Sequence, residues 1–247
     1  MNIAATATAA QFSRHRLYSP DEAAEIRQRL HELRHEWTPR STSHNPPLFY
    51  TLGRSAALDA SEEQDAQAEY YGKLPASNAV LREHFGDVLS RVQNCLEGIV
   101  GEPVWLYDRL AHPGFLLLFG EALGKKLSPP HFDMQYRTLR WHRPCDDWNA
   151  ISFTLPVAIP RGGAALHTWD IGGKEYWDAS QATGIALDDY IGGREPQVQH
   201  YEVGEVLVHH GVYLHRIAPI PETLPSDERL TLQGFAARID GNWFMHF

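Results

Sequence analysis

A series of short β-rich segments after Pro103 constrains the fold more than any other feature of this sequence. Ten runs rich in apolar, β-branched and aromatic residues follow one another, separated by glycine and proline turns, with no helical apolar repeat between them. Regularly spaced short strands with turn signals are typical of a β-sandwich or barrel. The pattern therefore predicts a β core over residues 103–247.

The part of the chain before this core has helical patterns. Ser19-Pro20-Asp21-Glu22 predicts a helix start, because it combines an N-cap serine, proline at the first helical position and acidic residues in the first turn. Residues 78–100 carry apolar side chains at helical spacing, and residues 39–58, rich in proline, serine and glycine, predict a loop. The resulting layout is a disordered arm at residues 1–13 and a single domain at residues 14–247, with helical support at 14–102 and the β core at 103–247.

Composition limits the partners. The formal net charge is −9, which argues against nucleic acid as a partner. No apolar run has the length of a membrane span, and the N-terminus lacks the pattern of a secretory signal. We expect a cytoplasmic protein with no nucleic-acid or membrane partner, and the sequence leaves the oligomeric state open.

The run from His131 to Trp141 predicts a metal site. If this run is a strand, His131 and Asp133 point to the same face, because alternate side chains share a face. A second histidine from a distant strand would complete a face of two histidines and one carboxylate. Such a face leaves positions open on the metal and is typical of non-haem Fe(II) oxygenases. The candidates for the second histidine are His209, His210 and His215.

Arg229 and Thr231 predict an anchor for an anion close to this metal. They share a face if their run is a strand, and an arginine fork binds a carboxylate through two hydrogen bonds. 2-Oxoglutarate has the matching ends, since its keto-acid end chelates a metal and its distal carboxylate pairs with an arginine. The expected cofactors are therefore Fe(II), 2-oxoglutarate and O2.

These elements occur in an order that resembles the Fe(II)/2-oxoglutarate-dependent dioxygenase superfamily. The matching motifs are His131-Phe132-Asp133, His215 and Arg229-Leu230-Thr231, supported by the family-like turns Pro160-Arg161-Gly162-Gly163 and Val203-Gly204-Glu205. The resemblance covers roughly residues 103–240. It departs from the family at Phe119, near which many members place a tyrosine that assists cosubstrate binding.

The resemblance implies a mainly β fold with supporting helices, namely a double-stranded β-helix (a jelly roll, cupin-like). It implies His131, Asp133 and His215 as the catalytic metal ligands, and Arg229 and Thr231 as the cosubstrate anchor. The implied activity is that of an oxidoreductase that hydroxylates an aliphatic C–H bond of a small-molecule or amino-acid-like substrate and releases succinate and CO2. Because Asp133 is present, halogenation is disfavoured, since halogenating relatives lack this carboxylate.

Further residues are candidates for the substrate pocket. Gln135 and Arg137 continue the face of the ligands if the strand is regular, and Arg137 would then favour an anionic substrate group. His167 and Trp169 are expected to share a strand face beside the site. Residues 171–197, bracketed by Gly-Gly pairs, are a candidate lid over the iron.

Two other classes of function remain open at this stage. The first is a cupin-like metal-dependent isomerase or another non-oxygenase metal enzyme, which leaves Arg229 unexplained. The second is a non-catalytic binding module on the same fold, since fold alone does not assign function. Binding of 2-oxoglutarate discriminates against the first, and succinate release with substrate discriminates against the second.

Overall fold

A computed structural model of the chain describes residues 12–40, 47, 49–60, 64–124, 129–137, 139, 145–220 and 222–247. Its strands form a larger and a smaller sheet. The strands are β1 (Phe12–Arg16), β2 (Thr38–Arg40), β3 (Phe49–Leu52), β4 (Val104–Leu106), β5 (Gly114–Phe119), β6 (Cys145–Ala158), β7 (Ala165–Gly172), β8 (Gln197–His200), β9 (Glu205–His210), β10 (Tyr213–Ile217), β11 (Glu228–Ile239) and β12 (Asn242–His246).

The larger sheet is built around the long strands β6 and β11. Its strand order is β1-β9-β6-β11-β5-β3-β2, and β12 also pairs with β11 and, in parallel, with β4. The smaller sheet has the order β10-β7-β8. Apolar side chains of β5 and of the smaller sheet meet between the two sheets, among them Leu116, Leu118, Leu166 and Ile217. This is the arrangement of a jelly roll, and it leaves a cavity between the two inner faces.

Two of the helices in the described part of the chain cover the outer face of the larger sheet. The helices are α1 (Pro20–Glu32), α2 (Ala56–Asp59), α3 (Gln64–Val100), α4 (Gly173–Thr183) and α5 (Leu187–Ile191). The predicted start of α1 is confirmed, because Ser19 and Glu22 form a reciprocal capping box. Apolar residues of α1 and α3, such as Ile26 and Phe85, pack against the core side of β5, β6 and β11. Burial of this apolar stripe attaches the helices to the sheet.

Three predictions about the N-terminal part are wrong in detail. Phe12 and Ser13 belong to β1 rather than to a disordered arm, while residues 1–11 lie outside the described part. The predicted loop at 39–58 contains β2, β3 and α2, with residues 41–46 and 48 outside the described part. The helix predicted at 78–100 is part of the longer α3, which begins at Gln64 and is interrupted by a kink at Phe85 (φ −137°, ψ 19°).

Nine of the ten predicted β runs contain a strand within the described residues. The exception is the run from His131 to Trp141. Its described part has a single bridge at His131 and a turn of 3-10 helix at Gln135–Arg137, and residues 138, 140 and 141 lie outside the description. None of the helices in the described ranges combines the length and the apolar character that crossing a bilayer requires.

Candidate metal centre

His131, Asp133 and His215 meet at one point on the inner face of the smaller sheet. The Nε2 atom of His215 lies 3.0 Å from Oδ2 of Asp133, and Nε2 of His131 lies 3.6 Å from Oδ1 of the same carboxylate. One ligand atom from each residue lies within 4.8 Å of the others. Among the described residues, this is the one group of histidine, cysteine and acidic side chains that has the geometry to hold a metal ion.

Backbone hydrogen bonds, rather than a regular strand, bring these three residues together. His131 exchanges two backbone hydrogen bonds with His215 (2.9 and 3.0 Å), and the N–H group of Asp133 donates to the carbonyl of Gly211 (2.8 Å). Pro129 and Pro130 precede His131 and have no N–H group to donate, so they cannot continue the backbone pairing between His131 and β10. The prediction of strand alternation at His131 and Asp133 is therefore wrong, although the two side chains do reach a common point.

Both imidazoles are oriented by carbonyl groups behind them. Nδ1 of His131 lies 2.9 Å from the carbonyl oxygen of Pro129, and Nδ1 of His215 lies 2.7 Å from that of Tyr213. Because a carbonyl oxygen only accepts, each Nδ1 must carry the hydrogen. The Nε2 atoms then face the carboxylate, and in the neutral imidazole Nε2 is the nitrogen without a hydrogen, which is the arrangement that a metal ligand needs.

Electrostatics keep the carboxylate of Asp133 ionised. Burial favours its neutral form, but the adjacent imidazoles of His215 and His131 more than offset this effect, and the pKa of Asp133 lies well below its usual range. The pKa of His215 is raised, since the attraction of Asp133 exceeds the effect of burial. The site therefore concentrates negative charge at the point to which two imidazole nitrogens are directed.

Other polar side chains surround Asp133. The hydroxyl of Ser152 on β6 donates to Oδ2 at 2.6 Å, and the amide of Gln135 donates to Oδ1 at 3.1 Å. The ring of His209 on β9 lies 4.8 Å from that of His215. Burial, and secondarily the proximity of His215, lowers the pKa of His209 to about 3. Ser152 was not predicted, because its role depends on the pairing of β6 with β9, which local sequence does not reveal.

Arg229 and Thr231 lie side by side on the inner face of β11. Their exposed fractions are 1% and 0%. Within the described part of the chain, the three guanidinium nitrogens of Arg229 and the hydroxyl of Thr231 make no hydrogen bond of normal geometry, and Arg229 has no acidic partner, although the nearby Tyr201 side chain favours its charge. Burial lowers the pKa of Arg229 from its ordinary value. A buried cation without a counter-charge is unfavourable, and a bound anion relieves that cost.

Tyr201 lies beside this arginine. Its ring centroid is 5.2 Å from Cζ of Arg229, and its side chain contributes to the wall of the cavity. Phe119, where the family pattern places a tyrosine, stacks instead on Trp37 with a centroid distance of 5.6 Å. A tyrosine is thus present next to the predicted anchor, but it comes from the segment after β8.

A cavity of about 280 Å³ is lined by the three candidate ligands and by Tyr201, whereas Arg229 and Thr231 do not line it. It lies between the two sheets and opens beside α2, whose Leu58 is 47% exposed. The three candidate ligands, Gln135 and His209 contribute to its wall. The remaining wall is mostly apolar and includes Leu116, Phe153, Leu166, Ile217, Phe235 and Phe247.

Three of the predicted pocket residues do not line this cavity. Thr168 pairs with His215 across β7 and β10, so it shares the face of that ligand, and its neighbours His167 and Trp169 point to the opposite face. The guanidinium of Arg137 lies 4.3 Å from the ring centroid of Trp148. The placement of His167, Trp169 and Arg137 in the pocket is therefore corrected, whereas Gln135 does line it.

The predicted lid has a different position. Residues of α4 and α5, including Tyr176 and Leu187, pack on Trp169 and Leu214, on the face of the smaller sheet that points away from the cavity. The contact with the candidate ligands is indirect, because Tyr176 stacks on Phe132 with a centroid distance of 5.9 Å. This insert supports the His131–Asp133 segment from behind rather than covering the site.

Comparison with solved structures shows that the chain shares its fold with proteins described as a dioxygenase and as a 2OG-Fe(II) oxygenase. The chain is similar to an N-substituted L-amino acid dioxygenase in complex with alpha-KG from Burkholderia ambifaria AMMD, with 12% identity, a TM-score of 0.58, and coverage of 96% of this chain and 87% of that one. It is also similar to an oxidoreductase of the 2OG-Fe(II) oxygenase family from Burkholderia pseudomallei, with 15% identity, a TM-score of 0.50, and coverage of 94% and 86%.

At such identities the similarity establishes the fold alone. No protein-family model matches the chain, and no curated protein matches it. The predicted double-stranded β-helix is confirmed.

Proposed function

We propose that this protein is an Fe(II)- and 2-oxoglutarate-dependent dioxygenase that hydroxylates an aliphatic C–H bond of a small or amino-acid-like substrate. The reaction consumes the substrate, 2-oxoglutarate and O2, and releases the hydroxylated product, succinate and CO2. One observation carries the proposal, namely that a ligand set of two histidines and one carboxylate lines a cavity whose wall residue Tyr201 contacts a buried cation, Arg229, that has no acidic partner among the described residues.

The ligand set fits Fe(II). Two imidazole nitrogens and one carboxylate suit a borderline divalent cation and leave coordination positions open. Fe(II), when bound, supplies the redox chemistry that couples O2 reduction to oxidation of cosubstrate and substrate. His131 and His215 direct their Nε2 atoms at Asp133, and Ser152 and Gln135 hold the two oxygens of Asp133. These contacts preorganise the ligands before any cosubstrate enters.

The anchor fits a dicarboxylate. Arg229 offers donors in a planar fork and Thr231 adds a hydroxyl, all of them buried and without a hydrogen bond of normal geometry to the described residues. The distal carboxylate of 2-oxoglutarate satisfies these donors and neutralises the charge. The apolar side chains of Leu116 and Ile217 exclude water around it, which strengthens the ion pair. The alpha-KG complex of the similar Burkholderia ambifaria dioxygenase supports this assignment.

The test is an anaerobic absorption titration of the apoprotein with Fe(II), followed by 2-oxoglutarate. We expect a visible charge-transfer band that reports bidentate chelation of the metal by the keto acid. The band should be absent in His215→Ala and unchanged in His200→Ala, a control histidine on β8 that is exposed. Arg229→Ala should bind Fe(II) normally and require at least about tenfold more 2-oxoglutarate, because a buried carboxylate loses its charged partner.

The same titration distinguishes the proposed dioxygenase from a non-oxygenase metal enzyme. If the wild-type protein binds the metal but 2-oxoglutarate produces no band, the proposed oxygenase activity is wrong. The site then belongs to a cupin-like isomerase or another non-oxygenase metal enzyme. Succinate release that requires a substrate distinguishes a dioxygenase from a non-catalytic binding module.

A further inference from the structure

The inner face of β11 continues past the anchor with two more side chains. Alternation places Gln233 and Phe235 on the same face as Arg229 and Thr231. Leu230, Leu232 and Ala236 point the other way, into the core beneath the helices. Gln233 and Phe235 both line the cavity. One strand face thus runs from the anion anchor to a neutral amide and then to an aromatic ring.

Gln233 is paired with a second polar residue on the neighbouring strand. In the register of β11 and β6, Gln233 lies opposite Thr154, which is also in the cavity wall. Within the described part of the chain, neither side chain makes a hydrogen bond to protein. In contrast, Ser152, the adjacent residue on the same face of β6, donates its hydroxyl hydrogen to Asp133. The amide and hydroxyl therefore face the cavity with donors and acceptors unused.

The surroundings of this polar pair are apolar. Gly114 lies opposite Gln233 on the other neighbouring strand, β5. The ring of Phe247 packs against Gly114, with its Cδ1 atom 2.6 Å from the place that a Cβ atom of residue 114 would take. Phe235 and Phe247 border the pair, and Leu58 of α2 lies exposed at the mouth. An apolar group entering beside Leu58 finds aromatic surface on the way to the candidate metal.

The described wall of the cavity contains no lysine, arginine or glutamate, and its one aspartate is Asp133. The structure places Arg137, the cation expected from sequence to meet an anionic substrate, beside Trp148. A charged substrate group would therefore lose its hydration without gaining a counter-charge from these residues. A neutral group avoids that loss against these described residues.

We infer that the cavity beside Gln233 and Thr154 binds a small neutral substrate that carries an amide or a comparable donor–acceptor group. The side chain of Gln233 offers one acceptor oxygen and an NH2 donor, which complement the N–H and C=O of an amide in a pair of hydrogen bonds. Thr154 adds a hydroxyl to the same group, and the apolar remainder lies on Phe235 and Phe247. This inference rests on the proposed function, because it names the substrate class of that site.

The probes are matched leucine derivatives that differ in charge. N-Acetyl-leucinamide is neutral, N-acetyl-leucine is an anion and leucinamide is a cation at neutral pH, and equivalent sets of three with isoleucine, valine and phenylalanine extend the panel. The readout is succinate formation above the rate without substrate, measured on the Fe(II)-loaded enzyme. We expect the neutral members to exceed their charged partners by at least tenfold in kcat/KM. A preference for charged members, or a panel in which no neutral member is active, overturns the inference.

Two substitutions at position 233 test the residue itself. Gln233→Leu keeps the volume but removes the hydrogen-bonding groups, and should raise KM for the neutral probe about tenfold while leaving kcat within about twofold. Gln233→Glu keeps the shape but adds a negative charge, and should shift the preference towards leucinamide. Gln181→Leu, at an exposed position of α4, is the matched control. Unchanged KM and unchanged charge preference in both variants at position 233 overturn the assignment.

The anaerobic band separates this inference from the proposed function. If the wild-type band with 2-oxoglutarate does not form, the proposed function fails first. If the wild-type band forms but Gln233→Leu weakens it as strongly as Arg229→Ala does, Gln233 belongs to the cosubstrate site. The inference then fails while the dioxygenase assignment stands.

Discussion

The hydroxyl of Ser152 lies 2.6 Å from Oδ2 of Asp133, and this contact joins the larger sheet to the candidate metal centre. Ser152 belongs to β6, whereas Asp133 lies in the irregular segment next to the smaller sheet. Gly211 packs directly against both residues. A Cβ atom at position 211 would lie 2.4 Å from the hydroxyl of Ser152 and 3.0 Å from Cβ of Asp133. The orientation of the carboxylate therefore depends on two neighbours that do not bind the metal.

Ser152→Ala should lower the affinity for a divalent metal by about tenfold, because hydrogen-bond partners of ligands restrict their orientation. The measurement is a titration of apoprotein with Co(II), followed by absorption. Ser226→Ala, at an exposed serine, serves as the control. An affinity equal to that of the wild-type protein would contradict a role for Ser152 in holding Asp133.

Gly211→Ala should lower both stability and metal affinity. The added methyl group has no space beside Ser152 and Asp133, and overpacking of this kind costs about 1–3 kcal/mol. The same substitution at Gly98, in α3, meets nothing within 4 Å and should stabilise the protein by about 0.5–1 kcal/mol, because alanine favours a helix. Urea unfolding of both variants measures whether the free energy of unfolding falls in Gly211→Ala and rises in Gly98→Ala. A Gly211→Ala protein as stable as the wild type would show that the segment shifts freely.

Arg229→Met should raise the thermal stability of the protein without ligand. The substitution removes a buried charge that has no acidic partner among the described residues, and we expect Tm to rise by about 2–4 °C, equivalent to about 1 kcal/mol. The increase in Tm that 2-oxoglutarate produces in the wild-type protein should disappear. Arg161→Met, at an exposed arginine, controls for the loss of charge. A lower Tm together with an unchanged effect of 2-oxoglutarate would place the anchor elsewhere.

Asp59→Asn should make the protein less stable at neutral pH. Asp59 accepts hydrogen bonds from both terminal nitrogens of Arg40 (2.6 and 2.9 Å) and from the backbone of Ser55 (2.8 Å) at the mouth of the cavity. Burial opposes its ionisation, but the contacts with Arg40 and Ser55 prevail and lower the pKa of Asp59. Breaking this buried pair costs about 3 kcal/mol at pH 7.

The effect of Asp59 should decrease in acid. Its folded-state pKa lies below the unfolded value of about 3.9, so its contribution is present above that value and is lost as the pH falls through the folded pKa. Urea unfolding of the wild type and of Asp59→Asn should therefore give free energies that converge as the pH falls below about 4. Asp188→Asn, at an exposed aspartate, is the control. A difference that stays constant with pH would contradict the ion pair.

The chemistry of the candidate site was predictable from short motifs. His131, Asp133, His215, Arg229 and Thr231 were each predicted from residue type and order, because metal and carboxylate binding require these functional groups whatever the backbone does. The β core was predictable for a similar reason, since alternation and turn residues act over a few neighbouring positions. Even so, the strand expected at His131 was wrong, because two prolines and a distant carbonyl group determine its hydrogen bonds.

Pairing between distant strands decided which side chains point into the cavity, and short motifs do not determine that pairing. The register of β10 on β7 turned His167 and Trp169 away from the cavity, and the register of β11 on β6 brought Gln233 beside Thr154. A shift of one residue in either pair would exchange the two faces.

The sequence by itself determined which functional groups are available and that the core is a β structure, because both depend on residue types and their local spacing. Only the tertiary structure decided which side chains share the cavity: Ser152, His209, Tyr201 and Gln233 enter it, while Arg137 does not. The physical reason is that the direction of a strand side chain follows from hydrogen-bond register with a partner far away in the chain. Residue type sets what a side chain can bind, and sheet pairing sets where it binds.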